Sequence, residues 1–213
     1  MNESYAYGMW SVAFVNIAIF VFFVLGYLRP RKRREWQSMG TYSAFVVALF
    51  TEMYGFPLTI YILTSVLGSR YPVIDPFSHM NGHLWVTLAG GSTYVWLAVM
   101  LISNVAMFGG LVIVGKAWRQ IHDANGKLVT RGLYGRTRHP QYLGLLVITT
   151  GMLIQWPTIL TAAMWPILMY MYYRLALREE KEMEAAFGDS YREYRRRVPM
   201  LPRPGRAGSR LTA

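Results

Sequence analysis

Residues 136–144 read RTRHPQYLG, two arginines and a histidine beside a proline at the foot of a long apolar run. Pro140 disfavours helical geometry at His139, so a helix is expected to start just after it. Proline is tolerated in a first helical turn because its missing N–H would have gone unpaired there. Unpaired backbone N–H groups and the positive end of the helix dipole, with Arg138 and His139 alongside, suit a carboxylate or a phosphate. The alternative is snorkelling: Arg136 and Arg138 reach lipid headgroups and Tyr142 joins an interfacial aromatic belt. A second polar cluster follows the last apolar run, at Arg174, Arg178, Glu179, Glu180, Glu182 and Glu184. On a continuous helix Ala176, Glu180, Met183 and Phe187 share one face, which turns Glu180 inward, where a carboxylate needs a cation or a ligand. Glu182 falls on the opposite, solvated side. Its alternative is an exposed i, i+4 pair with Arg178.

These clusters need elements to position them, and composition says what kind. Of 213 residues, 54% are hydrophobic and 15% charged. The apolar runs are too long for a soluble domain of this size, so an all-α integral membrane protein is expected. Met9 to Leu28 spans a bilayer by length and lacks a basic leader, so it is read as a retained helix. A second run covers about Gly40 to Leu67. A third covers about Leu84 to Val114, long enough to tilt or kink around Gly90, Gly91, Gly109 and Gly110. Leu143 to Ile154 and Thr158 to Tyr173 follow, forming either two short spans or a re-entrant hairpin. The expectation is therefore about five transmembrane helices. Asn125-Gly126 marks a turn, Gly188 a helix stop, and Ser190 with Glu193 a capping box for a short last helix.

Charge sets the orientation. Of 22 Lys and Arg residues, 5 fall in 29–34, 6 in 116–138 and 10 in 174–210, leaving Arg70. Five spans, or three plus a hairpin, bring those basic segments to one face. That face is cytoplasmic by the positive-inside rule, with the N-terminus outside and the C-terminus inside. The net charge of +11 needs no nucleic acid, because an anionic inner leaflet is partner enough. The absence of cysteine excludes disulfides and thiolate metal sites. Glu52 lies mid-span, where a carboxylate is protonated, paired or facing a cavity. Asp75, His79 and His83 could offer metal-ligand spacing, but Gly82 interrupts it; they are read as interfacial polar residues, with no metal site assigned.

Taken together, LVTRGLYGRTRHPQYLG at 128–144, REE at 178–180 and FGDSYREYRRRVP at 187–199 resemble the isoprenylcysteine carboxyl methyltransferases, integral membrane enzymes with the phospholipid N-methyltransferases as cousins. The resemblance covers about residues 116–204. It implies three parts: an N-terminal membrane region, 1–115, that selects substrate; a methyltransferase core, 116–204, with the cofactor site; and a basic tail, 205–213. It also implies S-adenosylmethionine as methyl donor, a lipophilic acceptor, and an active site on the cytoplasmic face of a bacterial inner membrane or an equivalent membrane. Consistent with this, no G-x-G of a Rossmann-type methyltransferase occurs in the chain.

Carried over by position, the cofactor-binding residues implied are Gln120, Lys127, Leu128, Val129, Tyr134, His139, Pro140, Gln141, Tyr142 and Glu179. His139 and the helix N-terminus would take the donor's carboxylate, Glu179 or Glu180 its ammonium or ribose hydroxyls, and Leu128, Val129 and Tyr134 its adenine. The family register favours Glu179, whereas the helical wheel favours Glu180. The family places a substrate-facing arginine one turn before the glutamates; here Leu175 stands there, so Arg174, with Glu180, is taken as the catalytic candidate orienting an anionic acceptor. A carboxylate acceptor needs no general base. The competing readings are phospholipid N-methylation, with Glu52 as proton acceptor, a sterol-reductase-like nicotinamide enzyme, and a non-enzymatic membrane protein.

Overall fold

The computed structural model describes residues 8–28, 33–70 and 82–202. Every regular element among them is helical. In chain order they are α1 (Trp10–Leu28), α2 (Arg33–Phe50), α3 (Leu58–Leu67), α4 (Leu84–Leu88), α5 (Thr93–Asp123), α6 (Pro140–Gln155), α7 (Ile159–Phe187) and α8 (Asp189–Arg197).

The expected second run is a bent pair. A wide helical turn, Thr51–Gly55, ends α2, and α3 leaves at 67° to it. Pro57 explains the break, since its ring removes a donor and restricts Phe56 to the extended conformation it adopts. Glu52 sits in this break, 4% exposed, and Oε2 accepts the Thr59 N–H at 2.8 Å, satisfying a donor at the start of α3. The third run breaks at the first of the two expected glycine pairs. Gly90 and Gly91 both take positive φ and separate α4 from α5, while Gly109 and Gly110 stay within an unbroken 31-residue helix. α5 is long and apolar enough to cross a membrane, and the bent α2–α3 pair counts as a second if it is one span.

The last two runs form two helices, and the second continues through the glutamate cluster as expected. α6 has 16 residues, and α7 continues for 29, carrying the glutamate cluster on the same helix as the apolar run. Thr158 caps α7 by accepting the Thr161 N–H at 3.0 Å. Gly188, at φ +54°, stops α7 as expected. It also stands at the N-cap of α8, so the expected Ser190 capping box does not form; Asp189 is already helical. Asp75 and His79 lie outside the described residues. His83 is buried, its Nδ1 3.1 Å from the Gln155 carbonyl and its ring edge-on to Trp156.

α5 and α6 form the closest interface, with α2 packed on α1 and α7. Glycine makes that approach possible: a Cβ on Gly144 would lie 2.9 Å from the Gly110 carbonyl oxygen, and one on Gly151 2.8 Å from that of Ser103. The core joins Tyr42, Phe45, Val46 and Leu49 of α2 to Leu145 and Ile148 of α6 and Leu168 and Tyr172 of α7. Away from the core, α5 exposes Leu101, Val105 and Phe108, an outer face suited to lipid and poorly suited to water.

Candidate functional site

The polar chemistry gathers where α5 ends, α6 begins and α7 passes. After Asp123 the chain turns through Asn125 and Gly126, both at positive φ, as the sequence predicts. It then runs to a single tight turn, Gly132–Gly135. Gln120 holds that turn, its Oε1 accepting the Leu133 N–H at 3.2 Å. Gly132, at φ +65°, lies so close that a Cβ would meet Gln120 Nε2 at 1.8 Å. Tyr134 then donates to Gln141 Oε1 at 2.8 Å, tying the turn to the first turn of α6.

α6 starts at Pro140 with no side-chain cap, as expected from the sequence. His139 precedes it, buried between two carboxylates: Nδ1 is 3.4 Å from Glu179 Oε2 and Nε2 is 3.3 Å from Glu180 Oε1. Burial opposes its charged form, but the interactions with Glu179 and Glu180 outweigh burial, so its pKa is raised and the imidazolium is favoured. Tyr142 donates to the other oxygen of Glu179, which fixes that carboxylate from two sides. Its ring stacks between those of His139 and Tyr172.

Glu180 faces the other way along the same helix. Its Oε1 meets Arg138 Nη2 at 2.9 Å, and Oε2 lies 3.4 Å from Arg195 Nε. Burial raises its pKa, and the bond to His139 with the charges of Arg138, His139 and Arg195 more than reverse this, so the carboxylate stays ionised. Arg138 is therefore engaged by Glu180 rather than open to an anion. It also donates from Nη1 to the Arg195 carbonyl at 3.0 Å, while its backbone N–H donates to Pro199. Tyr194 donates to the Tyr134 carbonyl at 2.7 Å, so α8 is fastened across the turn. Burial pushes the Tyr191 hydroxyl up to about 12, so it remains a proton-bearing group.

The result is a cavity of about 430 Å³. Leu128, Val129, Trp118, Ile121, Leu175 and Met183 supply apolar wall; Glu179, His139, Gln141 and Lys127 supply a polar end. Of the residues the sequence singled out, Lys127, Leu128, Val129, Tyr134, His139, Gln141, Tyr142 and Glu179 line this one space. Gln120 and Pro140 support it from behind. Glu180 lies beneath it, and Arg174 lies elsewhere, in a surface recess with Tyr170. Glu182, expected on the solvated side, also lines the cavity. Trp118, Ile121, Tyr191 and Tyr194 were missed. The Tyr191–Tyr194 spacing inside the 187–199 motif was the available signal.

Glu52 sits far from this cavity. It lines a small void with Trp156, Pro157 and Thr158, at the opposite end of α6 from His139. Sixteen residues of α6 separate the two ends, about 24 Å.

Apolar outer faces, a helix long and apolar enough to cross a membrane and a polar-ended pocket at one end of the bundle are features of a helical membrane protein. The sequence profile of the family described as Phospholipid methyltransferase matches residues 86–190, which contain most of this cavity's lining. The chain is 23% identical to protein-S-isoprenylcysteine O-methyltransferase B of Arabidopsis thaliana over 76% of its own length and 81% of that protein. It is 24% identical to the Rattus norvegicus protein-S-isoprenylcysteine O-methyltransferase over 85% of its own length and 71% of the relative. To methanethiol S-methyltransferase of Mycobacterium tuberculosis it is 34% identical, covering 55% of this chain and 47% of that one. No solved structure matches it. The chain is similar to the protein-S-isoprenylcysteine O-methyltransferases and, over residues 86–190, to the phospholipid methyltransferases, and it is a methyltransferase.

Proposed function

We propose that this protein transfers a methyl group from S-adenosylmethionine to a carboxylate on a lipophilic acceptor, with the cavity facing the cytoplasm. The observation that carries the reading is one carboxylate, Glu179, held by His139 and Tyr142 at the polar end of an otherwise apolar cavity. The cavity's volume falls within the roughly 300–1,000 Å³ typical of small-molecule sites. Its two ends match a donor that is zwitterionic at one end and aromatic at the other.

S-adenosylmethionine, when bound, supplies an electrophilic methyl group on a sulfonium. Glu179, oriented by His139 and Tyr142, would accept hydrogen bonds from the donor's ammonium. The uncapped N-terminus of α6, with Lys127 in the same cavity, would take the carboxylate. Leu128, Val129 and Tyr134 would enclose the adenine. Leu175 and Met183 line the cavity's apolar wall and would keep water from the acceptor, whose oxygen would take the methyl carbon as its bond to sulfur is released. No proton needs removing from a carboxylate. Arg174 is too far around α7 to orient the acceptor, so we assign it no catalytic role, and Glu180 acts by holding His139 and Arg138 in place.

For topology, we infer five crossings with the basic segments 29–34, 116–138 and 174–210 on the cytoplasmic face, and the region before residue 115 selecting the acceptor. N-methylation of a phospholipid amine is the second reading, supported by the description of the matching family. The test is incubation of the protein with lipid extracts and methyl-labelled S-adenosylmethionine, followed by mass spectrometry. A labelled, base-labile ester, absent with Glu179→Gln, supports the reading. A labelled amine replaces the acceptor, and no labelled lipid from active, folded protein removes the proposal.

A further inference from the structure

α7 carries a second recess, about 650 Å³, on a face separate from the cavity. Tyr170, Arg174, Leu177 and Lys181 recur there at three- and four-residue spacing, with Arg178 beside them. The two acids at its edge are already engaged: Glu180 by Arg138 and His139, Glu184 by Arg192 at 2.8 Å and Arg195 at 3.3 Å. The cations are not. Arg174 donates to the Tyr170 hydroxyl at 2.9 Å and lies 5.7 Å from that ring's centre. Neither it nor Arg178 nor Lys181 makes an ion pair among the described residues. Three uncompensated positive charges therefore stand within about 10 Å of axial rise.

What precedes them on the helix identifies the occupant. Toward its N-terminus α7 exposes Ile159, Leu160, Ile167 and Tyr173, an apolar surface that runs directly into the recess. Acyl chains fit the first part, a tyrosine pair marks headgroup depth, and arginine forks match phosphate oxygens. We propose that the recess holds the phosphate of an anionic phospholipid from the surrounding leaflet. A soluble anion would use the charges but not the apolar approach, so the lipid fits both. Charge complementarity accounts for three cations kept together where mutual repulsion disfavours them. It also accounts for Arg174, which points into the recess and away from the cavity. The inference needs α7 to cross the bilayer boundary but does not depend on the methyl-transfer reading.

The test is native mass spectrometry of the full chain in detergent, titrated with phosphatidylglycerol or with zwitterionic phosphatidylcholine. The wild type is expected to bind one phosphatidylglycerol at least about tenfold more tightly than phosphatidylcholine, from three cations near an anionic headgroup. The triple variant Arg174→Gln, Arg178→Gln, Lys181→Gln should lose that preference, while Arg178→Lys with Lys181→Arg should keep it. If the triple variant fails to fold, Arg178→Gln alone, an exposed position, should lower the preference severalfold. Equal binding of both lipids by the wild type, or an unchanged preference in the neutral variants, would overturn the assignment. So would displacement of the bound lipid by millimolar inorganic phosphate, which would make the site one for a soluble anion.

Discussion

Glu180→Gln removes one charge from a buried charged cluster. The Glu180 side chain is 3% exposed and that of Arg138 11%, and the glutamate faces Arg138, His139 and Arg195. Breaking a buried pair by neutralising one partner typically destabilises by about 3–5 kcal/mol, because the remaining charge is left without compensation. Glutamine keeps an acceptor for Arg138, so the lower end, about 3 kcal/mol, is expected, on the order of 6–12 °C in Tm. The pH profile makes the prediction specific. His139 has its folded pKa raised above the usual 6.5, so its contribution is fully present below 6.5 and is lost as pH rises through the folded value. Glu180 has its folded pKa lowered below the usual 4.5; its contribution is present above 4.5 and is lost as pH falls through the folded value. Glu180→Gln should therefore remove the acid-side loss due to this residue and move the alkaline-side loss to lower pH. Thermal unfolding of the purified protein in detergent from pH 4 to 9 measures both limbs. A variant with the wild-type profile, or one destabilised equally at every pH, would refute the cluster's assignment as a charge-paired unit.

Other perturbations separate structure from chemistry. Gly144→Ala places a Cβ 2.6 Å from Val114 Cγ2 and 2.9 Å from the Gly110 carbonyl oxygen, so it should destabilise the α5–α6 seam by about 1–3 kcal/mol in denaturant titrations. Gln120→Ala leaves the Leu133 N–H without its acceptor; S-adenosylmethionine affinity should fall severalfold by calorimetry with helical content unchanged by circular dichroism. Glu52→Gln keeps an acceptor for the Thr59 N–H far from the cavity, so methyl transfer measured with labelled donor should stay within about twofold of wild type. A loss greater than tenfold would mean Glu52 takes part in the reaction.

Much of the site was legible before any coordinates, for local reasons. Pro140 fixes where α6 begins, Asn125-Gly126 fixes the turn before it, and Gly188 ends α7; each is a backbone constraint carried by one or two residues. The inward face of Glu180 followed from helical periodicity once α7 was continuous. What the sequence hid was tertiary. Whether Arg138 serves a ligand or Glu180 depends on how α8 folds back, and α8 is placed by contacts such as Tyr194 to Tyr134, sixty residues apart. Glu182 was misplaced because the wheel gives a direction relative to α7 alone, while the cavity is closed by α8 and the 128–134 turn. Of the two glycine pairs the sequence offered for a break, Gly90 and Gly91 take positive φ and break the run, while Gly110 stays helical and packs against Gly144.

The central claim is that the cavity binds S-adenosylmethionine through Glu179. Calorimetric titration of S-adenosylmethionine into the purified wild type and into Glu179→Gln tests it. A charge-assisted hydrogen bond contributes about 1.5–3 kcal/mol, so the account predicts saturable binding to the wild type and a Kd weakened roughly tenfold to a hundredfold in the variant. Equal affinity in the two folded proteins, or no binding to the wild type, would contradict it.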